Sequence, residues 1–175
     1  SSGGGAITVS DALNTGTNSL TITSGGAVSL VAVTSGTLGV TGTGITLNGN
    51  VTTSGTQTYT GAVTLGASMT AASTGSASTG NNISFSSTVN GGSALTIDAG
   101  VGQVTFGGAV GGTTSLASLD VTTTHSAGVL LGGSVTTTGA QNYTGNITLN
   151  AADVQLNTTN SLVNITGNVI GGSAS

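Results

Sequence analysis

Residues 51–67 read VTTSGTQTYTGAVTLGA, and residues 135–151 read VTTTGAQNYTGNITLNA, an ungapped match at an offset of 84 with 11 of 17 positions identical. The likeness continues upstream, where GITLNG at 44–49 faces GVLLGG at 128–133. It resumes downstream after a short gap, with ISFSSTVNGGSA at 83–94 against VNITGNVIGGSA at 163–174. The copies thus lie near 44–94 and 128–174. A recurring stretch too short to bury its own apolar face marks a stacked array.

Working outward, aliphatic residues alternate with polar ones along the chain: Ile7/Val9, Leu20/Ile22, Leu38/Val40, Val63/Leu65, Ile83/Phe85, Val104/Phe106, Val129/Leu131, Ile147/Leu149, Val154/Leu156 and Val163/Ile165. Period-2 patterning rich in β-branched residues is the pattern of half-buried strands. Between the pairs stand turn-forming clusters such as Gly25-Gly26, Gly107-Gly108 and Gly171-Gly172, which supply corners. Gly and Thr in every window leave no 3.6-residue stripe for a helix. A Gly/Ser/Thr-rich chain also suits a flexible linker, but a linker has no use for the alternation.

Short strands at this spacing fit a sandwich, a barrel or a solenoid. Each strand offers only two or three inward aliphatics, and small residues dominate, so backbones stack closely around a narrow interior. The expected fold is all-β: a parallel β-helix, or β-solenoid, forming one segment over 1–175. About eight coils of roughly 21 residues, four to each 84-residue repeat, follow from the strand spacing, giving a rod about 40 Å long. Val63, Leu65, Ile147 and Leu149 should point inward. Thr, Ser and Asn should form ladders on the outer faces. Segments 51–67 and 135–151 should occupy matching arcs of coils several rungs apart.

Composition bounds the function. The chain has no Lys or Arg and four acidic residues, Asp11, Asp98, Asp120 and Asp153, for a net charge of −4. Without cations it has nothing to displace counterions from nucleic acid or to hold an anionic membrane surface. No apolar run approaches the roughly 20 residues of a spanning helix. The opening SSGGGAITVS has neither the basic flank nor the apolar segment of an export leader. Cysteine is absent, so disulfides do not staple the fold.

Constellations that carry chemistry are thin. His125 lies near Asp120, Ser118 and Ser126, but no strained nucleophile turn accompanies them, and His125 should be an exposed loop residue unpaired with either serine. Paired carboxylates for glycoside cleavage, clustered oxygen ligands for calcium and a lysine-bearing phosphate loop are all missing. The reading is therefore a non-enzyme with no catalytic, cofactor-binding or metal-ligating residue and no cofactor. Tyr59 and Tyr143 stand at equivalent repeat positions, as do Gln57 and Gln141. The tyrosines read as corner packers with bonded or wet hydroxyls rather than as a sugar-stacking platform. Asn-x-Ser/Thr sequons at Asn50, Asn82, Asn142, Asn146, Asn157 and Asn164 are candidate glycosylation sites.

VTTTGAQNYTGNITL and FGGAVGGTTSLASLDV resemble the repeats of filamentous-haemagglutinin-like exoproteins (two-partner-secretion type) and related giant bacterial surface adhesins. The resemblance runs from about Ile45 to the end, and the VTT-x-G-x-Q-x-Y-T-G string carries it. It implies a right-handed parallel β-helix shaft, secreted and displayed on the surface of a Gram-negative-type bacterium. The family's export domain and secretion signature do not appear here, so the resemblance implies a piece of shaft. The expected function is structural: an elongated stalk of an extracellular adhesin or surface fibre, mediating attachment. Its partners would be like chains or further coils of the same protein, end to end or laterally, or a host or environmental surface, with no nucleic acid and no membrane insertion. The alternative is a flat Thr/Ser/Asn array that recognises ice or polysaccharide, which would need Thr-x-Thr at one fixed place in every coil. Both ends of the rod are expected to be uncapped coil edges.

Overall fold

The chain winds through three faces in turn, and each face is a ladder of parallel strands. The computed structural model describes residues 4–75 and 81–171. Every regular element among them is a strand, 21 in all, and every pairing between them is parallel. The first face begins with Ile7–Thr8 and climbs through Val28–Leu30 to residues 44–47 and 62–65. It goes on through Val89–Asn90 and a single bridge at Val110 to Val135–Thr137 and Leu156–Thr158. The second face runs in order through Leu13–Asn14, Val33–Ser35, Val51–Thr53, Met69–Ser73, Leu95–Asp98, Leu119–Thr122, Gln141–Thr144 and Val163–Thr166. The third starts at Leu20–Thr23, takes residues 38–41 and 57–60, and continues through Ile83–Phe85, Val104–Phe106, Val129–Leu131 and Ile147–Leu149 to Val169–Gly171. Two long strands, Leu38–Leu47 and Gln57–Leu65, bend from the third face into the first, so the third face and the first as far as Val89–Asn90 share one 11-stranded sheet, while Val135–Thr137 and Leu156–Thr158 pair apart from it. The fold is a β-solenoid of eight turns.

Register explains the alternation in the sequence. On the third face, Leu20, Leu38, Gln57, Ile83, Val104, Val129, Ile147 and Val169 lie one above another. A second inward row passes from Val40 to Tyr59, Phe85, Phe106, Leu131 and Leu149. Strand side chains alternate between faces, so every second residue enters the core. Val63, Leu65 and Ile147 are buried as expected, and Leu149 is half-buried. Each fully buried Val, Leu, Ile or Phe contributes on the order of 1.5–3 kcal/mol. Backbone groups are satisfied between coils, as in Val135 N–H to the Gln155 carbonyl and Ile147 N–H to the Asn168 carbonyl, both 2.8 Å; buried main-chain groups require such partners.

Outward ladders form, as in Thr8, Ser29, Thr46 and Thr64 on the first face, but polar residues also line the interior: Ser35, Thr53 and Ser73 stack in register inside the rod, and Gln57, Thr123, Thr137 and Gln141 are also buried. A corner turns backbone groups inward, and these side chains serve them. Thr53 and Ser73 both donate to the Gly55 carbonyl, at 2.6 and 2.9 Å. Ser35 alone has a buried hydroxyl without a partner among the described residues.

The repeat copies, moreover, do not occupy matching arcs. Residues 51–53 lie on the second face and 135–137 on the first; residues 57–60 lie on the third and 141–144 on the second. The 84-residue offset is thus one face short of four turns. Coils vary in length: successive partners on the third face, Leu20 through Val169, are separated by 18 to 26 residues. Among the described residues, the long coils that start at Gln57 and Val104 carry no extra strand.

Candidate functional site

Although the copies are turned relative to each other, they build the same corner twice. Gln57 is wholly buried, and its Nε2 donates to the Ala72 carbonyl of the next coil at 2.8 Å and to Thr53 Oγ1 at 3.2 Å. Its Oε1 accepts the Tyr59 hydroxyl at 2.9 Å. In the second copy, Gln141 Nε2 donates to the Asn157 carbonyl at 2.8 Å and to Thr137 Oγ1 at 3.3 Å, and Tyr143 Oη donates to Gln141 Oε1 at 2.9 Å. Thr137 donates to the Gly139 carbonyl at 2.6 Å, as Thr53 does to that of Gly55. The glutamine is a bracket between coils. An amide offers two donors and an acceptor, and here both kinds are engaged, as a buried polar group requires. The residues that make VTT-x-G-x-Q-x-Y distinctive are those of this interior network.

Both tyrosines face inward and are fully covered, so neither is a sugar platform. Tyr59 stacks on Phe85 with ring centroids 4.9 Å apart, and Phe85 on Phe106 at 5.4 Å. Burial pushes both phenols well above their ordinary range near pH 10, since the anion would lose its hydration. An unfolded chain releases these protons near pH 10 while the folded chain keeps them. Their contribution to stability is therefore complete below pH 10 and falls as pH rises further, by about 1.4 kcal/mol per pH unit for each tyrosine. In an alkaline titration, tyrosinate absorbance is expected to appear only together with loss of the far-UV β signal. Ionisation near pH 10 in a chain that stays folded would contradict the buried placement.

His125 sits on the turn between the second and third faces. It is half-buried rather than exposed, because it folds over its own turn: Nδ1 accepts Ala127 N–H at 3.1 Å, and its own N–H is held by Thr123 Oγ1 at 3.0 Å. Asp120 points elsewhere, accepting from Asn142 Nδ2 at 2.5 Å on the next rung. The Ser118/Asp120/Ser126 neighbours seen in the sequence are not joined to His125 by any side-chain hydrogen bond among the described residues. No three His, Cys, Asp or Glu side chains gather in metal-holding groups among the described residues.

The sequons differ in environment. Asn50, Asn82 and Asn146 carry Oδ1 to the N–H of Thr70, Gln103 and Asn168 one coil on, at 2.8–3.0 Å, and Asn142 is paired with Asp120. Asn157 and Asn164 lie on exposed outward positions of the first and second faces.

Outward hydroxyl rows are broken on the third face. Its row reads Thr21, Gly39, Thr58, Ser84, Thr105, Leu130, Thr148 and Ile170. On the second face, Thr34 and Thr52 give way to Ala72 and Asp98 before Thr122, Thr144 and Thr166 resume. The large apolar side chains that do face solvent, Leu162, Val163, Val169 and Ile170, all belong to the last described coil. No protein-family model, curated protein or solved structure matches the chain.

Proposed function

We propose that the chain is a structural element: a shaft segment of an extracellular bacterial adhesin or surface fibre, acting as a stalk and as a contact surface for like chains or further coils. The observation that carries this reading is the turn of one face between the repeat copies. The copies keep the interior bracket of Gln57 with Tyr59 and of Gln141 with Tyr143 as one unit, whereas the outward threonines they also share, such as Thr52 and Thr136, are carried to different faces. Retention of inward residues favours a rod whose role is to be long and stiff. The lack of cations and of large charged patches fits close stacking of identical side chains, which charge would oppose. A flat face that reads ice or polysaccharide would keep outward hydroxyls in one column along the rod; the first face does so only from Thr8 to Thr64 before Asn90 takes the place, and the other faces break at Gly39, Leu130, Ala72 and Asp98, which speaks against it.

Surface display is tested by raising antibodies to the folded chain and labelling intact, unpermeabilised cells that produce the parent protein. Gold particles are expected outside the envelope, standing off from the membrane. Labelling that appears only after permeabilisation would overturn the proposal.

A further inference from the structure

We infer that Asn48–Gly49 is a self-modification site, an exposed corner at which the folded chain slowly converts an amide into a carboxylate without any enzyme; this goes beyond the shaft reading and does not depend on it. Asn is among the thermally labile residues. It is most labile before glycine, where no Cβ hinders the approach of the following nitrogen. The chain holds two such steps, Asn48–Gly49 and Asn90–Gly91. Both stand where the first face gives way to the second.

The two steps differ in what holds them. Gly91 is buried with φ of 124°, and its N–H donates to the Thr114 carbonyl of the next coil at 3.2 Å. Asn90 Oδ1 accepts the N–H groups of Thr113 and Thr114, at 2.9 and 3.3 Å. The nitrogen that would attack and the amide that would receive it are thus both tied to the coil above. Asn48, by contrast, is exposed and Gly49 half-buried. The Gly49 N–H has no hydrogen-bond partner among the described residues. The Asn48 side chain makes one bond, Nδ2 to Ser29 Oγ at 3.1 Å, and that exposed bond is all that must break before the side chain turns.

The chemistry needs only water and hydroxide. Hydroxide takes the Gly49 amide proton, and the nitrogen adds to Asn48 Cγ. The N–Cγ bond forms, the Cγ–Nδ2 bond breaks, and Nδ2 leaves as ammonia with a proton from water. Water then opens the five-membered imide at either carbonyl. Opening at Cγ gives aspartate, and opening at the main-chain carbonyl gives isoaspartate; nothing is oxidised or reduced. Either product places a carboxylate beside Ser29 in a chain with no Lys or Arg to pair with it. Isoaspartate also lengthens the main chain by a carbon between two pinned points. These are the Asn48 N–H on the Leu30 carbonyl, at 2.8 Å, and the Asn50 carbonyl on the Val33 N–H, at 2.9 Å. The rung then no longer matches its neighbours, so the corner loosens as the rod ages.

Prolonged incubation of the whole folded chain at mildly alkaline pH provides the test. Peptic fragments are sequenced by electron-transfer fragmentation, which tells isoaspartate from aspartate. Conversion at Asn48 is expected to run about tenfold or more ahead of that at Asn90, whose hydrogen bonds must break first. In urea both amides are released, and the two rates should converge. Asn48→Gln, which would have to close a six-membered ring, should remove the fast conversion and leave that at Asn90 unchanged. Equal rates in the folded chain, a faster Asn90, or an Asn48 that converts in urea but stays intact when folded would overturn the inference. The wild-type ratio decides the matter even where Asn48→Gln fails to fold.

Discussion

Gly61→Ala is expected to destabilise the chain by about 3–5 kcal/mol, among the largest losses a single methyl can cause. Gly61 turns the strand from the third face into the first with φ of 134°, a conformation open to glycine and closed to residues with a Cβ. A Cβ there would also collide with the Gly42 carbonyl oxygen of the coil below, and that atom is backbone, which cannot swing aside as the end of a side chain can. Gly145 holds the same place in the other copy with φ of 130°, and its replacement should cost a similar amount. Gly44, with nothing within 4 Å of a built Cβ and no positive φ, is the control, expected within about 0.5 kcal/mol of wild type on replacement by alanine. Urea midpoints followed by circular dichroism decide it; equal midpoints for Gly61→Ala and Gly44→Ala would mean the corner is wrongly assigned.

Phe85→Ala is expected to cost about 4 kcal/mol, within the usual range for a fully buried aromatic. Phe85 is the middle of three rings in consecutive coils, nearly parallel to Tyr59 at 9° and to Phe106 at 8°, so its removal strips a partner from both. Coils contact only their neighbours, and stability in such arrays is close to a sum of local terms. Amide exchange should therefore quicken first in 57–65 and Val104–Phe106, while protection in Val28–Leu30 changes little. Phe85→Leu, which keeps most of the volume, should cost about 1.5 kcal/mol. Uniform loss of protection along the rod would show that the coils melt as one body.

The third-face ladder was legible because its inward residues are mostly aliphatic. Pairs such as Ile83/Phe85 and Val104/Phe106 announce a strand by period alone, and those strands are where the pattern placed them. Strands with a hydroxyl or amide turned inward escaped that reading. Val51–Thr53 and Val135–Thr137 offer one valine each, and Gln57 and Gln141 look like surface residues until the corner around them is seen. Their signal was present in another form: both recur in the repeat with Tyr two residues on. The phase of the copies was not legible, because it depends on how many residues each corner absorbs. Nothing in local patterning reveals that the coil starting at Gln57 takes 26 residues and the one before it 19. His125 was placed correctly on a turn, but the hydrogen bond that folds it back depends on the backbone path of that turn.

The glutamine bracket stands at one corner of the rod in the first copy and at a different corner in the second, and it closes with the same bonds in both. A segment able to fold alike at any corner carries its own instructions and needs no particular phase from what precedes it. Lengthening such a molecule by tandem duplication then does not demand that the duplicated stretch contain a whole number of turns. A duplicated stretch that falls short of whole turns by one face still leaves a foldable product, as long as its strands meet the ladders and each bracket stays intact. Growth by a fraction of a turn is as admissible as growth by a full one, so the length of such rods is free to drift while their interior stays fixed.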